Sequence, residues 1–291
     1  MTIQKARSIR KILVPTDFSE NAANAARFAV ELGRNMASSV VLYHACRVPV
    51  LASNEMMIAA SNTDLERESK DRLRQFADRL QSETGYLNID VRISSGFAVD
   101  EIKELVEHED FDLVVMGTKG ATRLQSMLIG SNTADVISHC HCPVLAVPED
   151  ARFVPPARIV FATNYADNDF QTLYMLADMF RSFNPEIMVV HVEENRHNRI
   201  EQRMLDWFEA QVVASIPYDK FSFHLIHAEE LEGALNDFLT SEKADMLAVA
   251  TRRRGFFEKL TSKSLTRKLA FHSHLPLLAF HARNVPSTPL F

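Results

Sequence analysis

Cysteine is scarce, at three in 291 residues. So few exclude a disulfide framework and point to a reducing compartment, here the cytoplasm. No apolar run approaches the roughly 20 residues of a membrane-spanning helix. Residues 1–10 include basic side chains but no apolar stretch, so no signal peptide is expected. A basic excess is missing too: 32 Lys and Arg stand against 38 Asp and Glu, for a net charge of -6. Binding along a nucleic acid needs a basic face, so no nucleic-acid partner is expected. The chain has no G-x-x-x-x-G-K-[ST] run, which leaves a Walker-type ATPase unsupported, and no H-x-G-H of nucleotidyltransferases. No Ser-His-acid or Cys-His constellation follows from residue positions.

What is present is an ordinary globular composition, 46% apolar and 24% charged, at a length that suits two domains. An internal repeat defines them. KILVPTD at 11–17 matches RIVFATN at 158–164, with Thr16 on Thr163, an offset of 147 (163 less 16). The same offset carries VVLYHA at 40–45 onto IMVVHV at 187–192, with His44 on His191. Farther on, Asp112 falls on Asp245, an offset of 133 (245 less 112), and CPVLAV at 142–147 falls on LPLLAF at 275–280. The second copy is therefore 14 residues shorter (147 less 133), and the loss lies between His44 and Asp112. There the first copy carries RVPVLASNEMMIAASN at 47–62, read as a surface loop or flap able to close over a ligand. The join falls in the proline- and charge-rich 148–156, giving domains at 1–150 and 151–291.

Within each copy apolar strands alternate with helical patterns. Ser19 is placed to cap a helix with an inward stripe of Ala22, Ala25, Ala26, Ala29 and Leu32; its counterpart carries Leu173, Leu176, Ala177 and Phe180. A longer helix over 63–84 would turn Leu65, Leu73, Phe76, Ala77 and Leu80 inward, with Glu66–Lys70 and Glu68–Arg72 at supporting spacing. A strand (89–94), helix (98–107), strand (112–116), helix (131–139) and strand (143–147) follow. Strands apolar on both faces and separated by helices imply α/β domains, each a doubly wound five-stranded parallel sheet in an α/β/α sandwich. Ligands of such folds bind beyond the C-terminal strand ends.

Three segments of the first copy should meet at that edge: Pro15-Thr16-Asp17, His44-Ala45, and Gly117-Thr118-Lys119-Gly120 followed after nine residues by Gly130-Ser131-Asn132-Thr133. Glycines let backbone N–H groups approach an anion, and Gly130-Ser131 opens a helix whose N-terminal dipole suits phosphate. Ser131 and Thr133 add hydroxyls, and Asp17 could accept from a ribose or help hold Mg²⁺. The plainer reading is that the glycines only shape a loop and Ser131 only caps a helix. The Gly-x2-Gly-x9-Gly-Ser spacing, with PTDFS after the first strand and CPVLAV at the end, resembles the universal stress protein family over nearly the whole chain. The resemblance implies strand order 3-2-1-4-5 and an ATP site. Its binding residues would be Pro15, Thr16, Asp17, Ala45, Met116, Gly117, Gly120, Gly130, Ser131, Asn132 and Thr133, with adenine near Thr16, Asp17 and Ala45. Asn132 stands where the family often has an apolar residue. The resemblance also implies an intramolecular pseudo-dimer through the last strands, open to further homodimerisation.

The second copy departs from the motif. Gly117 becomes Ala250, Gly120 becomes Arg253, Gly130 becomes Lys263 and Asp17 becomes Asn164, while Ser131 persists as Ser264. Side chains thus stand where backbone should approach phosphate, and this half is not expected to bind ATP in the family manner. Arg252, Arg253, Arg254, Lys259, Lys263, Arg267 and Lys268 form a basic cluster, read as a solvated face with an anion site as the alternative. His139-Cys140-His141-Cys142 has metal-binding residue types, but neighbours on extended chain point to opposite faces, so no metal is expected there. His44 and His191 are read as hydrogen-bonded rather than catalytic. The function that follows is ATP held in the N-terminal domain as a regulatory ligand. The alternatives are a nucleotide-independent interaction module and a slow ATPase or phosphotransferase, which lacks an evident general base.

Overall fold

The computed structural model describes residues 8–46, 55–119, 129–166, 169–193, 199–251 and 275–281, with backbone alone for 55–63 and 199–201. The chain divides into two compact units, one made chiefly of residues 9–153 and the other of residues after 153. The first contains β1 (Lys11–Pro15), α1 (Glu20–Met36), β2 (Ser39–Cys46), α2 (Glu55–Thr84), β3 (Ile89–Ser95), α3 (Ala98–His108), β4 (Leu113–Gly117), α4 (Ser131–His139) and β5 (Val144–Val147). The second contains β6 (Arg158–Ala162), α5 (Asp169–Met179), β7 (Glu186–Glu193), α6 (Arg199–Ser215), β8 (Phe221–His227), α7 (Leu231–Ser241), β9 (Met246–Thr251) and β10 (Leu277–His281).

Each unit is an α/β domain. The strand order is β3-β2-β1-β4-β5 in the first and β8-β7-β6-β9-β10 in the second, the 3-2-1-4-5 order in both. Every pairing within a unit is parallel. The central strands are apolar on both faces because helices cover both. Ile12, Leu13 and Val14 of β1, and Ile159, Val160 and Phe161 of β6, are fully buried. Each such side chain contributes about 1.5–3 kcal/mol on leaving water.

The repeat is visible in individual bonds. Asp112 Oδ2 accepts the backbone N–H groups of Arg10 (2.9 Å) and Lys11 (3.2 Å), tying the start of β1 to the approach to β4. Asp245 Oδ2 does the same for Ala157 (2.8 Å) and Arg158 (2.9 Å) ahead of β6. The α1 stripe packs inward as its spacing requires, and so do Leu173, Leu176, Ala177 and Phe180.

Two readings of the first unit change. Residues 55–62 are not loop: α2 starts at Glu55, because the Met and Ala residues that follow propagate a helix readily. Residues 47–54 of the expected flap lie outside the described residues. Leu65 is 40% exposed rather than inward, while Leu73, Ala77 and Leu80 are buried and Phe76 is half-buried. The expected ion pairs along α2 also give way to tertiary contacts. Glu66 accepts from the Ser95 hydroxyl, and Arg72 lies over the ring of Phe18. A partner fixed by the fold outcompetes an i,i+4 pair, which contributes only about 0.2–0.5 kcal/mol.

Candidate functional site

The loop after β1 continues the strand ladder for one residue and then folds on its own side chains. Thr16 N–H donates to the Tyr43 carbonyl at 2.8 Å. Thr16 Oγ1 accepts from Phe18 N–H (3.0 Å), Asp17 Oδ1 from Ser19 N–H (3.0 Å), and Ser19 Oγ from Ala22 N–H (3.2 Å), which caps α1 as its sequence predicts. Phe18 takes φ 63°, a left-handed conformation unusual for a bulky residue. Its ring is held between two partners. The His44 imidazole lies 4.6 Å away on centroids, and the Arg72 guanidinium 4.2 Å over the ring. His44 Nδ1 is 2.8 Å from the Thr16 carbonyl. A carbonyl only accepts, so Nδ1 carries the proton.

The second unit repeats the turn of this loop with several residues changed, one of which alters its hydrogen bonding. Tyr165 has φ 58°, its N–H donates to Thr163 Oγ1 at 2.9 Å, and its ring lies 4.5 Å from His191 and 5.6 Å from Phe208. His191 Nδ1 donates to the Thr163 carbonyl at 2.9 Å. Both histidines are thus hydrogen-bonded loop anchors. That residue is Asp169, at the position of Ala22. Its Oδ2 accepts from the Thr163 hydroxyl (2.6 Å), Ala166 N–H (3.1 Å) and Asn164 N–H (3.3 Å), and the residue is 2% exposed. This loop is built around a carboxyl group supplied by the chain itself.

The other half of the first unit's edge comes from β4 and α4. Met116 and Gly117 end β4 opposite Ala146 and Val147, and Thr118 N–H donates to the Val147 carbonyl at 3.0 Å. Gly130 N–H returns to the Thr118 carbonyl at 2.6 Å. Gly130 is the N-cap of α4 and brings no side-chain cap. Ser131 and Asn132 are exposed in the first turn. Thr133 is buried, and its hydroxyl donates to the Gly117 carbonyl at 2.9 Å. The single hydroxyl proton is used there, so what Thr133 can offer an anion is its backbone N–H, a correction to its role as a hydroxyl donor. Pro15 and Thr16 are buried, Asp17 is exposed, and Ala45 is half-buried in β2 opposite Ser94. Gly120 lies outside the described residues, as do the basic cluster at 252–268 and Ser264.

Asn21 is the site residue that composition and motif reasoning missed. It sits in the first turn of α1, and its carboxamide lies directly on Gly117. A Cβ added to Gly117 would fall 1.8 Å from Asn21 Oδ1 and 3.0 Å from its carbonyl oxygen. The same Oδ1 accepts Lys119 N–H at 3.2 Å. Gly117 therefore lacks a side chain because α1 approaches it closely, and its φ is not in the left-handed region. A sequence signal existed: the offset of 147 that pairs Thr16 with Thr163 also pairs Asn21 with Asn168. The N-termini of α1 and α4 thus both adjoin the Gly117–Lys119 turn, and both present positive dipole ends to it.

The His139–Cys142 run does not converge. His139 Nδ1 bonds the Asp135 carbonyl at 2.9 Å, His141 faces Glu107 at 3.5 Å, and Cys142 Sγ faces the Phe111 carbonyl at 3.4 Å. Cys140 is buried, which pushes its thiol up to about 11.

The fold is that of a doubly wound parallel α/β domain, carried twice. The universal stress protein family profile matches residues 8–148. A universal stress protein of Methanocaldococcus jannaschii is 31% identical over 144 residues, 47% of this chain and 81% of the relative. One of Thermus aquaticus is 30% identical over 139 residues, 47% of this chain and 98% of the relative. A universal stress protein structure from Archaeoglobus fulgidus aligns over 94% of this chain and 97% of its own with TM-score 0.71 at 16% identity, a likeness of fold. The chain belongs to the universal stress protein family.

Proposed function

We propose that the N-terminal unit binds an adenine nucleotide, ATP, at the edge formed by the Thr16-Asp17 loop, Ala45 and the Gly117–Thr133 segment. Bound ATP acts as a regulatory ligand in a cytoplasmic stress response. One observation carries this reading: α4 opens at Gly130 without a side-chain cap, and its N-terminus is tied to Gly117 and Thr118 at the strand ends. Backbone N–H groups there are oriented for an anion and meet no competing carboxylate from a cap. Pro15, Thr16, Asp17, Ala45 and Met116 would flank the base and ribose. Gly117, Gly120, Gly130, Ser131, Asn132 and Thr133 would flank the phosphates. Mg²⁺, where it accompanies the nucleotide, neutralises phosphate charge, and exposed Asp17 is the carboxylate nearest in sequence to the base side. The second unit, with Asp169 filling its first loop and Ala250 in place of Gly117, takes no ATP in this manner.

A second reading has its own observation. Close packing against Asn21 already accounts for Gly117, which favours a motif retained for architecture in a nucleotide-independent interaction module. The two separate cleanly. Denatured protein, purified without added nucleotide, is assayed by mass spectrometry for released small molecules, and emptied protein is titrated with MgATP by calorimetry. About one ATP per chain, lost in Gly130→Lys, supports the first reading. Binding unchanged in Gly130→Lys, or absent in the native protein, supports the second.

A further inference from the structure

Asn21 has a second feature that packing does not explain. Its side chain is buried, at 5% exposure, and Oδ1 is engaged by Lys119 N–H, which fixes the orientation of the carboxamide. The other end, Nδ2, is buried and makes no hydrogen bond. Two amide protons are thus buried on the residue that packs against Gly117, without an acceptor from the protein. A buried polar group left in this state is costly and rare in native structures, and it needs a reason. Two helix N-termini adjoin the same turn, so the surroundings favour a negatively charged acceptor.

We infer that Asn21 is a ligand-binding residue of this site, whose Nδ2 donates to a phosphate oxygen of the bound nucleotide. The inference rests on the nucleotide reading above and adds to it a side-chain donor from α1, an element the glycine motif does not include. Ligand entry then shifts the Lys119 segment or the carboxamide enough to uncover Nδ2. An oxygen anion would satisfy the donor that the protein's own groups leave without an acceptor. Inorganic phosphate presents the same oxygen chemistry as the nucleotide, so it serves as the control for the source of the acceptor.

The test uses the full chain and compares MgATP, adenosine and inorganic phosphate by calorimetry for native protein and Asn21→Asp. The aspartate keeps the acceptor that Lys119 N–H requires and replaces the donor with a second acceptor. A charge-assisted hydrogen bond lost to phosphate should weaken MgATP binding roughly tenfold to a hundredfold. Adenosine binding should stay within about twofold. An equal loss for ATP and adenosine, or no loss for either, overturns the role of Asn21 while leaving the nucleotide reading intact. Native protein that binds neither overturns both. If native protein binds phosphate alone, and Asn21→Asp abolishes that, the donor stands and the nucleotide reading falls. Because Asn21→Asp could fail to fold, nitrogen-15 NMR follows the Asn21 carboxamide of the native chain. A downfield shift of its protons with ATP but not adenosine is expected, and unchanged resonances at saturating ATP refute the contact.

Discussion

Substituting Gly117 by alanine tests how the edge is assembled. The new Cβ would lie 1.8 Å from Asn21 Oδ1 and 3.0 Å from the Asn21 carbonyl oxygen. The carboxamide would have to turn away and release Lys119 N–H, a bond contributing about 1 kcal/mol. Overpacking against the α1 backbone adds about 1–3 kcal/mol. Gly117→Ala should therefore destabilise the N-terminal unit by about 2–4 kcal/mol. Native-state hydrogen exchange with mass spectrometry, read on peptides covering α1 and β4, measures this for the unit concerned. Trp207 is the only tryptophan and lies on α6, so its fluorescence reports the other unit separately. A double-mutant cycle supplies the refutation. With Asn21→Ala in the background, the side-chain clash is gone, and the added cost of Gly117→Ala should fall to about 1 kcal/mol. An equal cost in both backgrounds, or under about 0.5 kcal/mol in the native one, would show that Asn21 does not dictate the glycine.

Three further outcomes are expected. Asp169→Ala leaves three donors of the second unit's first loop without their shared acceptor, and should cost about 2–4 kcal/mol, read as lost exchange protection in β6 and α5; unchanged protection there would show that the carboxylate does not hold the loop. Tyr43 is pushed up to about 12, first by burial, against an ordinary value of 10.0. The unfolded chain then loses this proton before the folded one does, so stability is intact below pH 10 and falls as pH rises through about 12. The full loss is on the order of 3 kcal/mol. Urea denaturation at pH 9 and pH 11.5 should show the decline, and Tyr43→Phe should flatten it; equal slopes would refute the assignment. Cys46, Cys140 and Cys142 are all buried, so a thiol reagent should modify none within minutes in native protein and three per chain after denaturation. Rapid modification of a native thiol would contradict the packing.

Much of the architecture was legible because it rests on periodicity. Strands apolar on both faces, alternating with striped helices, leave few arrangements besides a parallel sheet covered on each side. The repeat multiplied that signal: Thr16 with Thr163, His44 with His191 and Asp112 with Asp245 make the same hydrogen bonds in each unit. Ser19 as a cap was readable because its partner, Ala22 N–H, is three residues away.

The sequence by itself determined most of the elements, their order and the glycine spacing, all of which depend on neighbours along the chain, though not where α2 begins. Partner choice across the chain was decided only by tertiary structure. Nothing local says that Arg72 prefers the ring of Phe18 to Glu68, that Asp169 turns back onto Thr163, or that the Thr133 hydroxyl is used on Gly117. Asn21 shows the difference most sharply. Its place in α1 follows from the cap two residues earlier. Its lone buried amide at the edge of β4 follows from the docking of α1 on the sheet, which brings together residues nearly a hundred positions apart and fixes which of their polar atoms remain unsatisfied.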